Sequence, residues 1–177
     1  MLEKKKLLGE ERRSHLLEIL RSSKKPITGT ELSRISNVSR QVIVGDITLL
    51  KAKNEPIIAT SQGYLYFQAG ETQQCERTVA CQHGPERTEE ELNMLVDLGI
   101  IVKDVKIEHP VYGDLTASIM VSNRKEVRQF MQQIKDTGAA FLSQLTEGIH
   151  LHTLTASSEE LLDEAEETLK KEGLLIT

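Results

Sequence analysis

The sequence predicts an α+β protein of two unlike modules: three helices closed by a β-hairpin, then an α/β sandwich on one mainly antiparallel or mixed sheet. Three observations carry this expectation. Helical spacing dominates the first third of the 177 residues, whereas Val- and Ile-rich runs of strand length alternate with helical segments beyond residue 75. Charge changes sign between them: residues 1–70 hold 12 Lys/Arg against 7 Asp/Glu, net +5, and residues 71–177 hold 10 against 20, net −10. The stretch 69–74, Ala-Gly-Glu-Thr-Gln-Gln, is polar and aperiodic and reads as a linker, which sets the domains at 1–68 and 75–177.

In the first module, Leu16, Ile19 and Leu20 form an i, i+3, i+4 stripe, so a helix is expected from about Glu10 to Ser22, with Arg12, Arg13, Glu18 and Arg21 on its other faces. Pro26 ends the turn that follows. Thr28 and Glu31 form a Thr-x-x-Glu capping box for a second helix through Leu32 and Ile35. After a tight turn at Asn37-Val38, Ser39 is an N-cap for a third helix reaching about Ala52, with Ile43, Ile47 and Leu50 inward. Residues 56–67, Pro-Ile-Ile-Ala-Thr-Ser-Gln-Gly-Tyr-Leu-Tyr-Phe, then read as two strands joined at Ser61-Gln62-Gly63.

Three helices followed by a hairpin is the order of a winged helix-turn-helix. Its third helix has the chemistry for reading DNA. Arg40 and Gln41 offer long hydrogen-bonding side chains at the N-terminal end, Val44 and Thr48 offer methyl groups, and Lys51 offers a cation. The amides after Ser39 suit a phosphate. Lys53, and Gln62 or Tyr64 on the wing, are backbone-contact candidates, and the local charge of +5 agrees with a polyanionic partner.

The second module reads as a strand over Thr78–His83, a helix over Thr88–Leu98, a strand over Ile100–Glu108 and a turn over Pro110–Gly113. A strand over Leu115–Val121 and a helix over Lys125–Asp136 follow. Two more strands are expected around Phe141–Leu145 and His150–Thr155, before a final helix over Ser158–Glu172. Four of the five histidines, His83, His109, His150 and His152, fall at strands or strand ends here. Alternation puts His150 and His152 on one face of one strand. With one carboxylate from the run Glu89-Glu90-Glu91, two or three imidazoles suit a divalent transition metal such as Zn, Ni, Fe or Co, which spacing does not distinguish.

Composition sets outer bounds. Three Tyr, three Phe and no Trp mean that the cores are aliphatic. No apolar run approaches the ~20 residues of a membrane span, and the start, Met-Leu-Glu-Lys-Lys-Lys, lacks a signal peptide's apolar segment. A cytoplasmic location with Cys75 and Cys81 reduced is therefore expected.

Several phrases together carry a family resemblance: Pro26-Ile-Thr-Gly, Val38-Ser-Arg-Gln-Val-Ile-Val, Pro56-Ile-Ile-Ala-Thr, Gly63-Tyr-Leu-Tyr, His109-Pro-Val-Tyr-Gly-Asp-Leu and His150-Leu-His-Thr-Leu. The chain resembles the NiaR transcription repressors of NAD biosynthesis, which join a winged helix-turn-helix to a three-histidine (3H) domain. Gly45 departs from the pattern, where a larger polar residue is expected. The resemblance implies a homodimer on a palindromic operator near NAD-synthesis or niacin-transport genes, with nicotinic acid as co-repressor. It also implies that His83, Glu91, His150 and His152 are metal ligands and that His109, with Tyr112 nearby, contacts the effector.

Two other classes compete. A metal-dependent hydrolase acting on a small nicotinate-like substrate, with a regulatory winged helix, would need a general base beside the metal. The chain has no His-Glu-x-x-His, nucleophile motif or phosphate-cradling Gly loop. In a purely structural module the histidines would be packed core residues.

Overall fold

Short side-chain oxygens start the two helices of the helix-turn-helix. The computed structural model describes residues 7–67 and 74–177, and in it Thr28 Oγ1 accepts the Glu31 N–H at 3.1 Å and Ser39 Oγ accepts that of Val42 at 3.4 Å. The helices are α1 (Gly9–Ser22), α2 (Gly29–Ser36) and α3 (Arg40–Ala52), and Asn37 makes the α2–α3 turn in the left-handed conformation, φ 50°. Leu16, Leu20, Leu32, Ile43, Ile47, Leu50 and Ile57 form one buried cluster.

The hairpin of β1 (Ile57–Thr60) and β2 (Gly63–Tyr66) is antiparallel. Ile27 pairs with Tyr64 at its outer edge through bonds of 2.9 and 2.8 Å. Gly63 is required there, because φ is 127° and a Cβ would collide with the Ile27 carbonyl.

Arg12 and Arg13 of α1 reach across to α3: Arg12 Nε meets Asp46 Oδ2 at 2.6 Å and Arg13 Nη1 meets Oδ1 at 3.4 Å. Asp46, on the inner side of α3, is 4% exposed, and a buried carboxylate requires such partners. These two cations therefore fasten α1 to α3.

Contacts divide the chain into Met1–Gly70 and Glu71–Thr177. The expected linker, residues 69–74, lies outside the described residues except for Gln74.

The second unit is a four-stranded antiparallel sheet in the order β3-β6-β4-β5, from β3 (Cys75–Gln82), β4 (Ile101–His109), β5 (Gly113–Val121) and β6 (Ile149–Ala156). Its helices are α4 (Thr88–Asp97), α5 (Arg124–Thr137) and α6 (Glu159–Lys171). The apolar core joins alternate strand residues, Val79, Cys81, Val102, Ile119, Val121, Leu154 and Ala156, to Leu92, Leu95, Val127, Leu162 and Leu169 of the helices. Arg77 on β3 holds α6 by ion pairs to Glu159, Asp163 and Glu166. The C-terminal tail runs along the outer edge of β3, with bonds Gln82 N–H to Leu174 carbonyl at 2.9 Å and Ile176 N–H to Ala80 carbonyl at 2.8 Å, which caps part of that edge.

Phe141–Leu145 is not the expected strand. Leu142–Thr146 is a 3-10 segment, opened by the Phe141 N–H donating to Gln144 Oε1 at 2.8 Å and closed by left-handed Glu147 and Gly148. The apolar pair Phe141-Leu142 instead lines a cavity. Cys75 and Cys81 are both free thiols.

Candidate metal centre and nucleic-acid face

Register on the sheet places the second unit's chemistry. β3 pairs with β6 so that Cys81 faces His150 and Val79 faces His152. On the other side of β6, Val105 of β4 faces His152. His150 and His152 point toward the helices, where the first turn of α4 delivers Glu91, and His83 follows directly from β3. Their four side chains are at most 4% exposed.

All three imidazoles turn Nε2 toward one oxygen. The distances to Glu91 Oε2 are 2.8 Å from His83, 3.4 Å from His150 and 3.3 Å from His152. Each Nδ1 faces a backbone carbonyl instead: His83 that of Gly84 at 2.8 Å, His150 that of Gly148 at 2.8 Å, and His152 that of Asp104 at 2.6 Å. A carbonyl only accepts, so each Nδ1 carries the hydrogen. Neutral rings in that tautomer aim three Nε2 lone pairs at a carboxylate.

Such an arrangement needs protons or a cation between the rings and Glu91. Burial opposes charging His83 and His152, but the hydrogen bond to Glu91 and its negative charge outweigh burial and hold both above the ordinary histidine range. Burial alone would raise Glu91, yet the nearby His152, with hydrogen bonds from all three rings, holds it well below the usual carboxylate range. Glu91 Oε1 is buried without a hydrogen-bond partner among the described residues. Three imidazoles fixed through Nδ1 and one carboxylate fit a divalent transition metal, whose histidine ligands ordinarily have this outer-shell support.

Sequence reasoning missed these supports. The Asp104 carbonyl reaches His152 because Lys103 is an extra residue in β4 relative to β6, a bulge that re-aims the chain. Asp104 Oδ1 also accepts the Thr153 N–H at 3.0 Å. The Gly148 carbonyl receives both His150 Nδ1–H and, at 3.3 Å, the His83 N–H. Gly148, at φ 87°, is packed against the His83 backbone and leaves no room for a Cβ. The Glu147-Gly148 pair just before His150 was the available signal.

A cavity of about 160 Å³ adjoins the cluster. Val105, Ile119, Phe130 and Phe141 are among its walls, and Glu91, His150 and His152 are its polar end. His109 and Tyr112, expected to contact the effector, are not among its lining residues. They sit at the C-terminal end of β4, the end on the His150 side: Tyr112 is 74% exposed, and His109 Nδ1 is used in accepting the Val111 and Tyr112 N–H groups.

On the first unit, Ser39, Arg40, Gln41, Thr48, Lys51 and Lys53 are exposed along α3 and its ends, and Val44 is half-buried. Thr48 Oγ1 is engaged by the Val44 carbonyl at 2.8 Å, so the methyl is what it offers a base. Gly45 is exposed with nothing within 4 Å of a Cβ position, leaving bare backbone between Gln41 and Thr48. Tyr64 is one pair in from the hairpin turn, packed on the core and bonded to Ile27.

Family models match both units, an HTH domain over residues 12–65 and a 3H domain over residues 76–177. The chain is 62% identical to the transcription repressor NadR of Bacillus subtilis, over 99% of each chain. It is 40% identical to the probable transcription repressor NiaR of Thermotoga maritima, over 97% of each.

Proposed function

The chain belongs to the NadR/NiaR family of transcription repressors, and from that premise we propose that it represses genes of NAD biosynthesis or niacin transport with nicotinic acid as co-repressor. It is a DNA-binding repressor and not an enzyme, which sets the hydrolase alternative aside. His83, Glu91, His150 and His152 hold a divalent transition metal in this reading, and α3 reads the operator.

The cavity is the observation that carries the effector assignment. Its size matches the ~150 Å³ of a protein cavity known to accept benzene, and its apolar walls suit one aromatic ring. Its polar end is the histidine–glutamate cluster. A pyridine ring with a carboxylate at one edge has that same division. When bound, the cation supplies positive charge and an open position for a carboxylate. Val105, Ile119, Phe130 and Phe141 exclude water from the ring, and the Nδ1 bonds keep the three imidazoles in the ligating tautomer.

Repression follows by linkage. An effector tightens operator binding only by binding the DNA-competent state better, with ~1.4 kcal/mol of coupling for each tenfold. A homodimer places two α3 helices on a palindromic site. Isothermal titration of metal-replete and chelated protein with nicotinic acid, nicotinamide and NAD tests the proposal: nicotinic acid binds, and only with metal. Equal binding to the chelated protein, or preference for an uncharged amide, refutes the composite site.

A further inference from the structure

The mechanism above leaves one buried nucleophilic group unused. Cys81 is 0% exposed and stands opposite His150 across the β3–β6 ladder. Its Sγ, a carboxylate oxygen of Glu91 and a ring nitrogen of His150 all lie within 4.8 Å of one another. The cluster also has two sides. Glu91, His150 and His152 face the cavity, while neither Cys81 nor His83 lines it, so the sulfur and His83 occupy the side toward β3.

An independent observation points to the same place. Glu91 is fully buried and its Oε2 takes all three imidazoles, yet Oε1 has no hydrogen-bond partner among the described residues. A buried carboxylate oxygen is ordinarily satisfied. A cation shared with the neighbouring sulfur satisfies it, and its charge offsets the burial and the Glu91 charge that otherwise hold the Cys81 thiol protonated.

We propose that Cys81 is a further metal donor, its sulfur joining the three histidines and Glu91 on the side of the ion away from the effector cavity. This rests on reading the cluster as a metal centre. A coordinating thiol is deprotonated outright, so its proton passes to solvent when the ion binds. A thiolate among imidazoles favours the softer end of the divalent series and leaves the cavity side open for a carboxylate.

Cobalt(II) loading of the full chain tests it. Ligand-field bands in the visible report that cobalt is bound, and a sulfur-to-cobalt charge-transfer band in the near ultraviolet reports a thiolate ligand. Wild type and Cys75→Ser should show both features; Cys81→Ser and Cys81→Ala should keep the visible bands and lose the charge-transfer band. Visible bands without charge transfer in wild type would overturn the Cys81 assignment and leave the histidine–glutamate centre standing. Charge transfer that persists in Cys81→Ser would overturn it equally. Failure of wild type to bind cobalt, nickel or zinc would remove the metal reading itself, and this proposal with it.

Discussion

His152 and Asp104 are joined at a β-bulge: the His152 Nδ1–H donates to the Asp104 carbonyl at 2.6 Å, and the Asp104 carboxylate accepts the next backbone N–H, that of Thr153, at 3.0 Å. One residue thus fixes both the tautomer of the ring and the position of the strand that carries it. With the Gly84 and Gly148 carbonyls on the other two rings, the backbone has preset the lone pairs of the cluster before any ion arrives.

Gly148→Ala tests that presetting. A side chain at φ 87° is strained, and its Cβ would meet the His83 carbonyl, so the second unit should lose about 1–3 kcal/mol in urea unfolding. Metal affinity should fall about 10- to 100-fold, as for other outer-shell changes. Unchanged stability and affinity would show that this turn does not position His83 and His150.

The cluster also sets how stability depends on pH. The raised values of His83 and His152 give metal-free protein a stabilisation that is complete below about pH 6.5 and lost as pH rises through their folded values. The lowered value of Glu91 contributes above about pH 4.3 and is lost as pH falls through its folded value. Chelated protein should therefore be more stable at pH 5.5 than at pH 8. Metal needs neutral rings, so metal-loaded protein should show the reverse. Urea midpoints at the two pH values, with and without chelator, check both signs; equal midpoints for chelated protein would contradict the ion-pair reading.

Ala117→Leu tests the cavity. Ala117 is on its wall, opposite Val105 and off the ligand set. A larger side chain should fill the space and lower nicotinate affinity at least about tenfold, since one methylene in an apolar pocket is worth about 1–3 kcal/mol. Bound metal, measured by native mass spectrometry, should not change. Full nicotinate binding in this variant would place the effector elsewhere.

In the first unit, Arg12→Ala leaves Asp46 buried with only the longer Arg13 contact. Breaking a buried pair costs about 3–5 kcal/mol, and Arg13 should keep the loss near the lower figure. Asp46→Asn in the same background should recover part of it by removing the charge. Thermal unfolding reads both; a neutral Arg12→Ala would mean that the pair is dispensable.

Arg40→Ala and Lys53→Ala separate base reading from backbone contact. The first should cost about 1–3 kcal/mol on operator DNA and little on random DNA, and the second should weaken both and reduce the salt slope by about one. Equal losses for Arg40→Ala on the two DNAs would make Arg40 a phosphate contact.

Local chemistry in the sequence determined much of this protein. The Thr28 and Ser39 caps, the apolar stripe of α1 and the Val/Ile runs of the strands are short-range signals, and they fixed nearly every helix and strand. Period-two alternation likewise put His150 and His152 on one face. Tertiary structure alone decided what lay between distant segments. The bulge at Lys103, the double role of the Gly148 carbonyl, the Arg12–Asp46 pair and the cavity under Phe141 all join residues tens of positions apart. Register between strands, not spacing within one, brought Cys81 to His150, and the face that α4 packs on the sheet chose Glu91 over the exposed Glu89 and Glu90. Phe141-Leu142 was misread for the same reason: an apolar run of that length fits a strand or a cavity wall equally, and only the packing of α5 and β6 around it settles which.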